Sequence, residues 1–457
     1  MKKQLSQIAM WLEHDLDMNL DVLVTGVSIN TKTLQPGDLF VPFKGERVNG
    51  HQYVQQAFSQ GASAALWQSD EPNPPTHLPI IFVKNCEIAL QQMARAYRSE
   101  HKATFIGITG SNGKTSTKDL VAGVLSPFFR VQKTAGNFNN NLGLPLTILD
   151  LDEDTEYAVL EMGMSGFGEI EFLSQLAKPH YVVITNIGEA HMQDLGSRAG
   201  IAKAKFEIVD GLQSEGKLFF DGDEPLLEPF VETFNGEAVS FGYEFSNSLS
   251  ASNILATEKG SQFDVNGILT GTYSIPVLGK HQVKNALVAM LIAKEAGLTN
   301  KQIQESLEQV SLTDMRMQVI PASNDALFIN DAYNAAPTSM KAALEFVMDS
   351  KIRSDKWVVL GDMLELGENE RQFHQELVKF LPMNTINGVC LYGTRMKYLF
   401  EELQQHEWPE KRLLWTESDY EPIIQKLRQE TSSNSMILVK GSRGMALEKV
   451  IEPFKQI

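Results

Sequence analysis

The sequence predicts an α/β protein of three domains: a small N-terminal α/β domain, a central P-loop ATPase-like parallel-sheet domain and a C-terminal Rossmann-like α/β domain. Three observations predict it. The chain has 457 residues, too many for one ordinary core. Short apolar runs without alternation recur between helix-compatible stretches, the pattern of strands buried on both faces of a parallel sheet. The stretch "TFIGITGSNGKTSTKDL", Thr104 to Leu120, joins a β-rich run to a glycine loop and a helix.

The first block spans residues 1–84. Its start, "MKKQLSQIAMWLEHDLD", has apolar residues at helical spacing interrupted by Ser6, Gln7 and Glu13. It predicts an amphipathic helix, not a signal peptide. The proline-rich "DEPNPPTHLP" is expected to close this block as a connector between units.

The second block, residues 85–312, carries the runs "TFIGITG", "YAVLEMG", "YVVITNIG" and "GKLFFDGD". Ligands in such sheets bind beyond the carboxyl ends of the strands, which here carry Lys114, Glu161, Glu189, His191 and Asp221. The third block, residues 313–457, repeats the alternation in "ALFINDAYN", "KWVVLGDM", "GVCLYGT" and "MILVKGSRG". Asp331, Asp362, Lys440 and Arg443 stand at its strand ends. Its first strand is not followed by a complete Gly-x-Gly-x-x-Gly, which argues against a dinucleotide dehydrogenase.

The glycine loop predicts a bound phosphate. Glycines let backbone N–H groups turn inward, and the helix N-terminus that follows attracts negative charge. Thr109, Gly110, Ser111, Asn112, Gly113, Lys114, Thr115 and Ser116 form the candidate cradle. Lys114 is placed to reach the outer phosphates and the Thr115 hydroxyl to ligate Mg²⁺. The loop is a variant, because Gly107 comes one residue early and Ile108 occupies the expected glycine position.

Composition narrows the functional class. The formal net charge is −17, which argues against nucleic acid or an anionic membrane as the main partner. No apolar run is long enough to span a bilayer. Cys86 and Cys390 are far apart and lack metal-ligand spacing, as in a reducing, cytoplasmic setting.

Three further residues stand out. Glu161, after "YAVL", is a carboxylate placed either to share the Thr115 metal or to cap the next helix. His191 in "ITNIGEAHM" lies at the same sheet edge as the loop. Lys205 in "SRAGIAKAKFEIVDGL" has Ile201, Ala202, Ile208 and Val209 at three- and four-residue spacing, so it projects from the apolar face, and Lys203 does not. A lysine there either snorkels or is functionally placed.

Taken together, "GITGSNGKTSTK", "NFNNNLGLPL", "EMGMSGFGEI", "TNIGEAHM", "AKAKFEI", "GKHQVKNALVA", "DMRMQV" and "DAYNAAPTSM" resemble the Mur ligases, the ATP-dependent amide-forming enzymes of peptidoglycan precursor synthesis. The resemblance runs through all three blocks. It implies a cytoplasmic, monomeric ligase that joins D-alanyl-D-alanine to UDP-N-acetylmuramoyl-tripeptide through an acyl phosphate. A relative adding the third residue and a P-loop nucleotide switch are the alternatives. The resemblance implies that Lys114 stabilises the transferred phosphoryl group. Thr115 and Glu161 would hold one Mg²⁺, and His191 and a carbamylated Lys205 a second. Asn285 would contact adenine, Arg316 the phosphates and Asp331 the ribose side, while Asn137 and Asn141 lie in a loop facing the substrate. The UDP-sugar loop often reads Ser-x-Asp-Ser-Arg in the family; here it is Ser28, Ile29, Asn30, Thr31 and Lys32. Lysine replaces a bidentate fork with a point charge, so Arg47, Asn49 and His51 are expected to share the role.

Overall fold

The computed structural model describes residues 1–14, 21–45, 48–189 and 192–455. Among the described residues each block has one main sheet, and the first block adds a two-stranded antiparallel pair, Lys3–Gln4 with Leu23–Val24.

The first sheet has four parallel strands, Gly26–Ser28, Asp38–Phe40, Ala64–Gln68 and Ile80–Val83, in chain order. The amphipathic start is the helix Leu5–Trp11, which buries Leu5, Ile8 and Ala9. The proline-rich connector does not separate units. It joins Ala64–Gln68 to Ile80–Val83, which pair directly, so both ends belong to one sheet. The prolines interrupt strand growth in the link, residues 69–79, within the domain.

The central sheet has nine strands. The four runs read from the sequence form Thr104–Thr109, Tyr157–Glu161, Tyr181–Ile184 and Lys217–Asp221, all in parallel register. Thr104–Thr109 lies between Tyr157–Glu161 and Tyr181–Ile184, so the glycine loop emerges in the middle of the parallel part. The sheet is not parallel throughout. Leu249–Thr257, Gly260–Gly267 and Gly271–Ile275 extend it as an antiparallel meander. Their alternating burial reflects a sheet with one face on the core and one in water.

The C-terminal sheet has six strands. Gln318–Pro321 is an antiparallel edge strand, followed in space by Leu327–Asn330, Ser435–Lys440, Asp355–Gly361, Gly388–Tyr392 and Leu413–Thr416, all parallel. Leu278, from the loop after the central meander, is buried in the C-terminal core. Arg353 of the C-terminal domain also pairs with Glu258 at the tip of the meander. The two domains therefore meet through Leu278 and through the Arg353–Glu258 pair.

Candidate functional site

The helix Lys114–Leu125 begins at Gly113, whose φ is 82°, and no side chain caps its first turn. Its leading N–H groups therefore point outward, as an anion site requires. Gly113 also has no room for a side chain, since a Cβ there would sit 2.8 Å from Asn285 Oδ1. The loop is braced from the strand Tyr181–Ile184. Thr185 Oγ1 and Asn186 Nδ2 donate to the Asn112 carbonyl at 2.6 and 2.9 Å, and Asn112 N donates to Asn186 Oδ1 at 2.9 Å. Gly188 N donates to Ser111 Oγ at 2.8 Å. These bonds fix the loop shape from the protein side.

Lys114 Nζ donates to the Gly110 carbonyl at 2.7 Å and is held across the mouth of the loop. Burial pushes its pKa down, Glu161 opposes that shift, and Arg316 adds to it. The Thr115 hydroxyl donates to Glu161 Oε2 at 3.0 Å. Asn139 Nδ2 donates to the other oxygen of Glu161 at 2.9 Å. Glu161 is 4% exposed and sits at the end of its strand, not at a helix cap. Asn139 is a residue that sequence reasoning missed. It lies between the two asparagines singled out, in the run "NFNNNLG", and only the fold shows which of them turns inward.

A hydroxyl and a carboxylate at the head of this helix are hard oxygen donors of the kind Mg²⁺ takes. Among the described residues no group of three His, Cys, Asp or Glu side chains forms a metal cage.

Arg316, from the start of the C-terminal domain, reaches into the same place. Its Nη2 donates to Thr115 Oγ1 at 3.0 Å, and its guanidinium lies 4.2 Å from the Tyr333 ring centroid. Asn285 is buried beside Gly113, and its amide donates to Gln282 Oε1 at 3.1 Å. Asp331 accepts from Lys440 Nζ at 2.6 Å and from Met317 N at 3.1 Å.

Lys205 is 2% exposed on the helix Arg198–Phe206, whereas Lys203 is exposed and lies over the Phe167 ring. Burial pulls the pKa of Lys205 well below the ordinary lysine value, with the nearby Lys114 adding to the shift. Among the described residues no carboxylate pairs with its amine. His191 and Arg47 lie outside the described residues.

The remaining strand-end residues do other work. Asp221 pairs with Lys284 at 2.8 Å, and Asp362 accepts the Met396 N–H at the head of a helix. Arg443 pairs with Glu448 at the surface, and Glu189 accepts from Thr338 across the domain cleft at 3.5 Å.

The first-domain candidates form two groups. In the loop after Gly26–Ser28, Ser28 Oγ donates to the Asn30 carbonyl and Lys32 N donates to Asn30 Oδ1, while the Asn30 and Lys32 side chains are exposed. Thr31 is half-buried there. This strand packs on the helix Gly143–Leu149, which follows the loop carrying exposed Asn137 and Asn141. Asn141 Nδ2 donates to Glu87 at 2.5 Å. The second group lines a cavity of about 430 Å³ with Trp67 and Glu71. There His51 Nε2 accepts from Gln68 N at 3.1 Å and Nδ1 donates to Asn49 Oδ1 at 2.8 Å. Asn49 also donates to Glu71 at 2.8 Å. Both ring nitrogens of His51 are committed within the domain.

Three family matches tile the chain in order: Mur ligase family, catalytic domain, over residues 23–98; Mur ligase middle domain over 108–293; and Mur ligase, glutamate ligase domain, over 315–443. The chain belongs to the Mur ligase family. It is 43% identical over 430 residues to the UDP-N-acetylmuramoyl-tripeptide–D-alanyl-D-alanine ligase of Bacillus subtilis, covering 94% of this chain and 93% of that one. It is 31% identical to the Escherichia coli protein of the same name, covering 99% of this chain and 98% of that one. Among solved structures it resembles MurF from Acinetobacter baumannii, with a TM-score of 0.87 at 26% identity, covering 99% of this chain and 98% of that one. It also resembles MurF ligase from Thermotoga maritima in complex with ADP, with a TM-score of 0.83 at 27% identity, covering 96% and 98%.

Proposed function

We propose that this chain is an ATP-dependent ligase that joins D-alanyl-D-alanine to UDP-N-acetylmuramoyl-tripeptide, making a C–N bond in peptidoglycan precursor synthesis. The observation that carries the chemistry is the convergence of Lys114, Thr115, Glu161 and Arg316 at one helix N-terminus, with donors contributed by two domains. The names of the relatives supply the substrate pair.

In this reading residues 85–312 bind ATP, residues 1–84 bind the UDP-sugar, and residues 313–457 close over both. The tripeptide carboxylate attacks the γ-phosphorus, ADP leaves, and an acyl phosphate forms. The D-Ala-D-Ala amine then attacks the acyl carbon, and inorganic phosphate departs with the carboxylate oxygen. Such chemistry depends on positioning and charge neutralisation. Lys114 and Arg316 bring cationic donors to the transferred group, and the helix N-terminus adds its N–H groups. Asn285, against Gly113, would face the adenine side, and Asp331 the ribose. Ser28, Asn30, Thr31, Lys32, Asn137 and Asn141 would face the sugar and peptide.

Two Mg²⁺ ions, one at Thr115 and Glu161 and one at His191 and Lys205, would neutralise charge on the phosphates. Lys205 has the environment for carbamylation: burial favours its free amine, the form that adds CO₂. The enzyme acts as a cytoplasmic monomer in this reading. Purified protein given ATP, Mg²⁺, UDP-muramoyl tripeptide and D-Ala-D-Ala should release phosphate only when both peptide substrates are present. Rapid release with neither would make it a nucleotide switch.

A further inference from the structure

Thr115, Lys118 and Asp119 share one face of the helix Lys114–Leu125. Thr115 belongs to the site above. Lys118 and Asp119 are 2% and 1% exposed, and charges so deeply buried are tolerated only when fully partnered. Lys118 Nζ donates to the Thr134 carbonyl at 2.9 Å and lies 3.9 Å from Glu161 Oε2. Asp119 Oδ1 accepts from Lys133 at 2.6 Å. Its other oxygen accepts twice from Thr313, from the backbone N–H at 2.8 Å and from the hydroxyl at 2.6 Å.

Thr313 opens the segment 313–317, which enters the C-terminal domain. Two of its residues, Met315 and Met317, have φ of 65° and 51°. Side chains other than glycine adopt this conformation only where surrounding contacts enforce it. Those contacts are visible. Asp119 holds the Thr313 end, Asp331 accepts Met317 N at the other end, and Tyr333 N donates to the Met315 carbonyl at 3.2 Å between them. Arg316 sits between the two left-handed methionines and points at Thr115.

We infer that Asp119 is a positioning residue: it staples the interdomain segment to the phosphate-loop helix so that Arg316 is aimed at the bound nucleotide. The inference rests on the nucleotide reading of the loop. It makes the loop helix and the segment leading into the C-terminal domain one mechanical unit, so that the Arg316 guanidinium arrives without further ordering.

The test uses the full chain and the variants Asp119→Ala, Thr313→Val, Thr313→Ser and Arg316→Ala, with the Asp119→Ala/Arg316→Ala double. ADP affinity is measured by titration calorimetry with Mg²⁺, alongside kcat, KM for ATP and melting temperature. Asp119→Ala should weaken ADP binding and kcat/KM for ATP by on the order of tenfold, since displacing a positioned group carries costs of this size. Thr313→Val should lose less in the same direction, and Thr313→Ser should match wild type. Asp119→Ala should cost nothing further in the Arg316→Ala background, because one acts through the other. Losses that multiply in the double variant would overturn the inference. So would Asp119→Ala and Thr313→Val proteins that differ from wild type only in melting temperature. If Asp119→Ala does not fold, the cycle is run with Thr313→Val, with Thr313→Ser as its control. Wild-type protein that binds no ADP would instead remove the nucleotide reading, and the inference with it.

Discussion

The glycine-loop end of the central sheet and the candidate substrate loops of the first domain use polar residues in opposite ways. At the central site, Lys114 and Thr115, Glu161, and Arg316 come from three separate segments and are held in place by hydrogen bonds to each other, to Asn139 and to the loop backbone. In the first domain, Asn30 and Lys32 are exposed, and their loop satisfies itself by short-range bonds to its own backbone. His51 and Asn49 spend their donors and acceptors on Gln68, Glu71 and each other. The difference teaches where preorganisation is placed. Charge that develops during a reaction has to meet groups already fixed, whereas binding a large sugar nucleotide tolerates groups that order on contact.

The largest effect should come from Lys114→Ala. If Lys114 is the cation at the transferred phosphoryl group, as proposed, its removal should lower kcat by on the order of a thousandfold, with the circular dichroism spectrum unchanged. An unaltered rate would make the loop a structural turn and erase the contrast.

Lys205 sharpens it next. Lys205→Ala should lose on the order of a hundredfold in kcat, a size typical for groups that support a metal site. A small added carboxylate such as formate should restore part of the loss by occupying the place that the proposed carbamate would take. Lys203→Ala, on the exposed face, should be close to wild type. Equal behaviour of the two variants, or full activity in Lys205→Arg, would make Lys205 a packing residue.

A smaller effect is expected at the first-domain loop. Lys32→Ala should raise KM for the UDP-sugar substrate by about tenfold or less and leave kcat alone, the signature of uniform binding. A fall in kcat with KM unchanged would place this loop among the preorganised groups.

The smallest effect concerns His51 and is one of stability. Burial lowers its pKa below the ordinary histidine value, with Lys44 contributing and Glu71 opposing. Its Nε2 accepts a backbone N–H, so the folded state holds the neutral ring. An unfolded chain takes up the proton from about pH 6.5 downward, while the folded ring resists it, so stability falls as pH drops through that window. His180 and His374 are also shifted down, mainly by burial, and act in the same direction. His51→Gln should therefore flatten the decline in melting temperature between about pH 7 and about pH 5. A slope identical to wild type would mean that His51 is solvated and free for ligand.

Much of this arrangement was legible in the sequence. The four apolar runs of the central block became adjacent parallel strands, and the glycine loop lies where the first of them ends. Helical periodicity was enough to place Lys205 inside and Lys203 outside. The rest escaped for physical reasons. The meander 249–275 went unread, although its alternation around "TEKGS" is the ordinary signal of a hairpin. The proline-rich connector reads as a boundary because proline marks any break in regular structure, within a domain as well as between domains. Asn139 could not be separated from its neighbours by spacing alone. Asp119 and Lys118 were not singled out, because their partners Lys133, Thr134 and Thr313 are set by the tertiary fold.

The central claim is that the loop end of the middle domain activates a carboxylate by phosphorylating it. The most direct measurement follows the oxygen. UDP-muramoyl tripeptide carrying ¹⁸O in its terminal carboxylate is converted with ATP, Mg²⁺ and D-Ala-D-Ala, and the released phosphate is analysed by mass spectrometry. The account predicts one ¹⁸O in each phosphate formed, because the carboxylate oxygen that attacks phosphorus leaves with it. Phosphate free of label, released in step with amide formation, would contradict it.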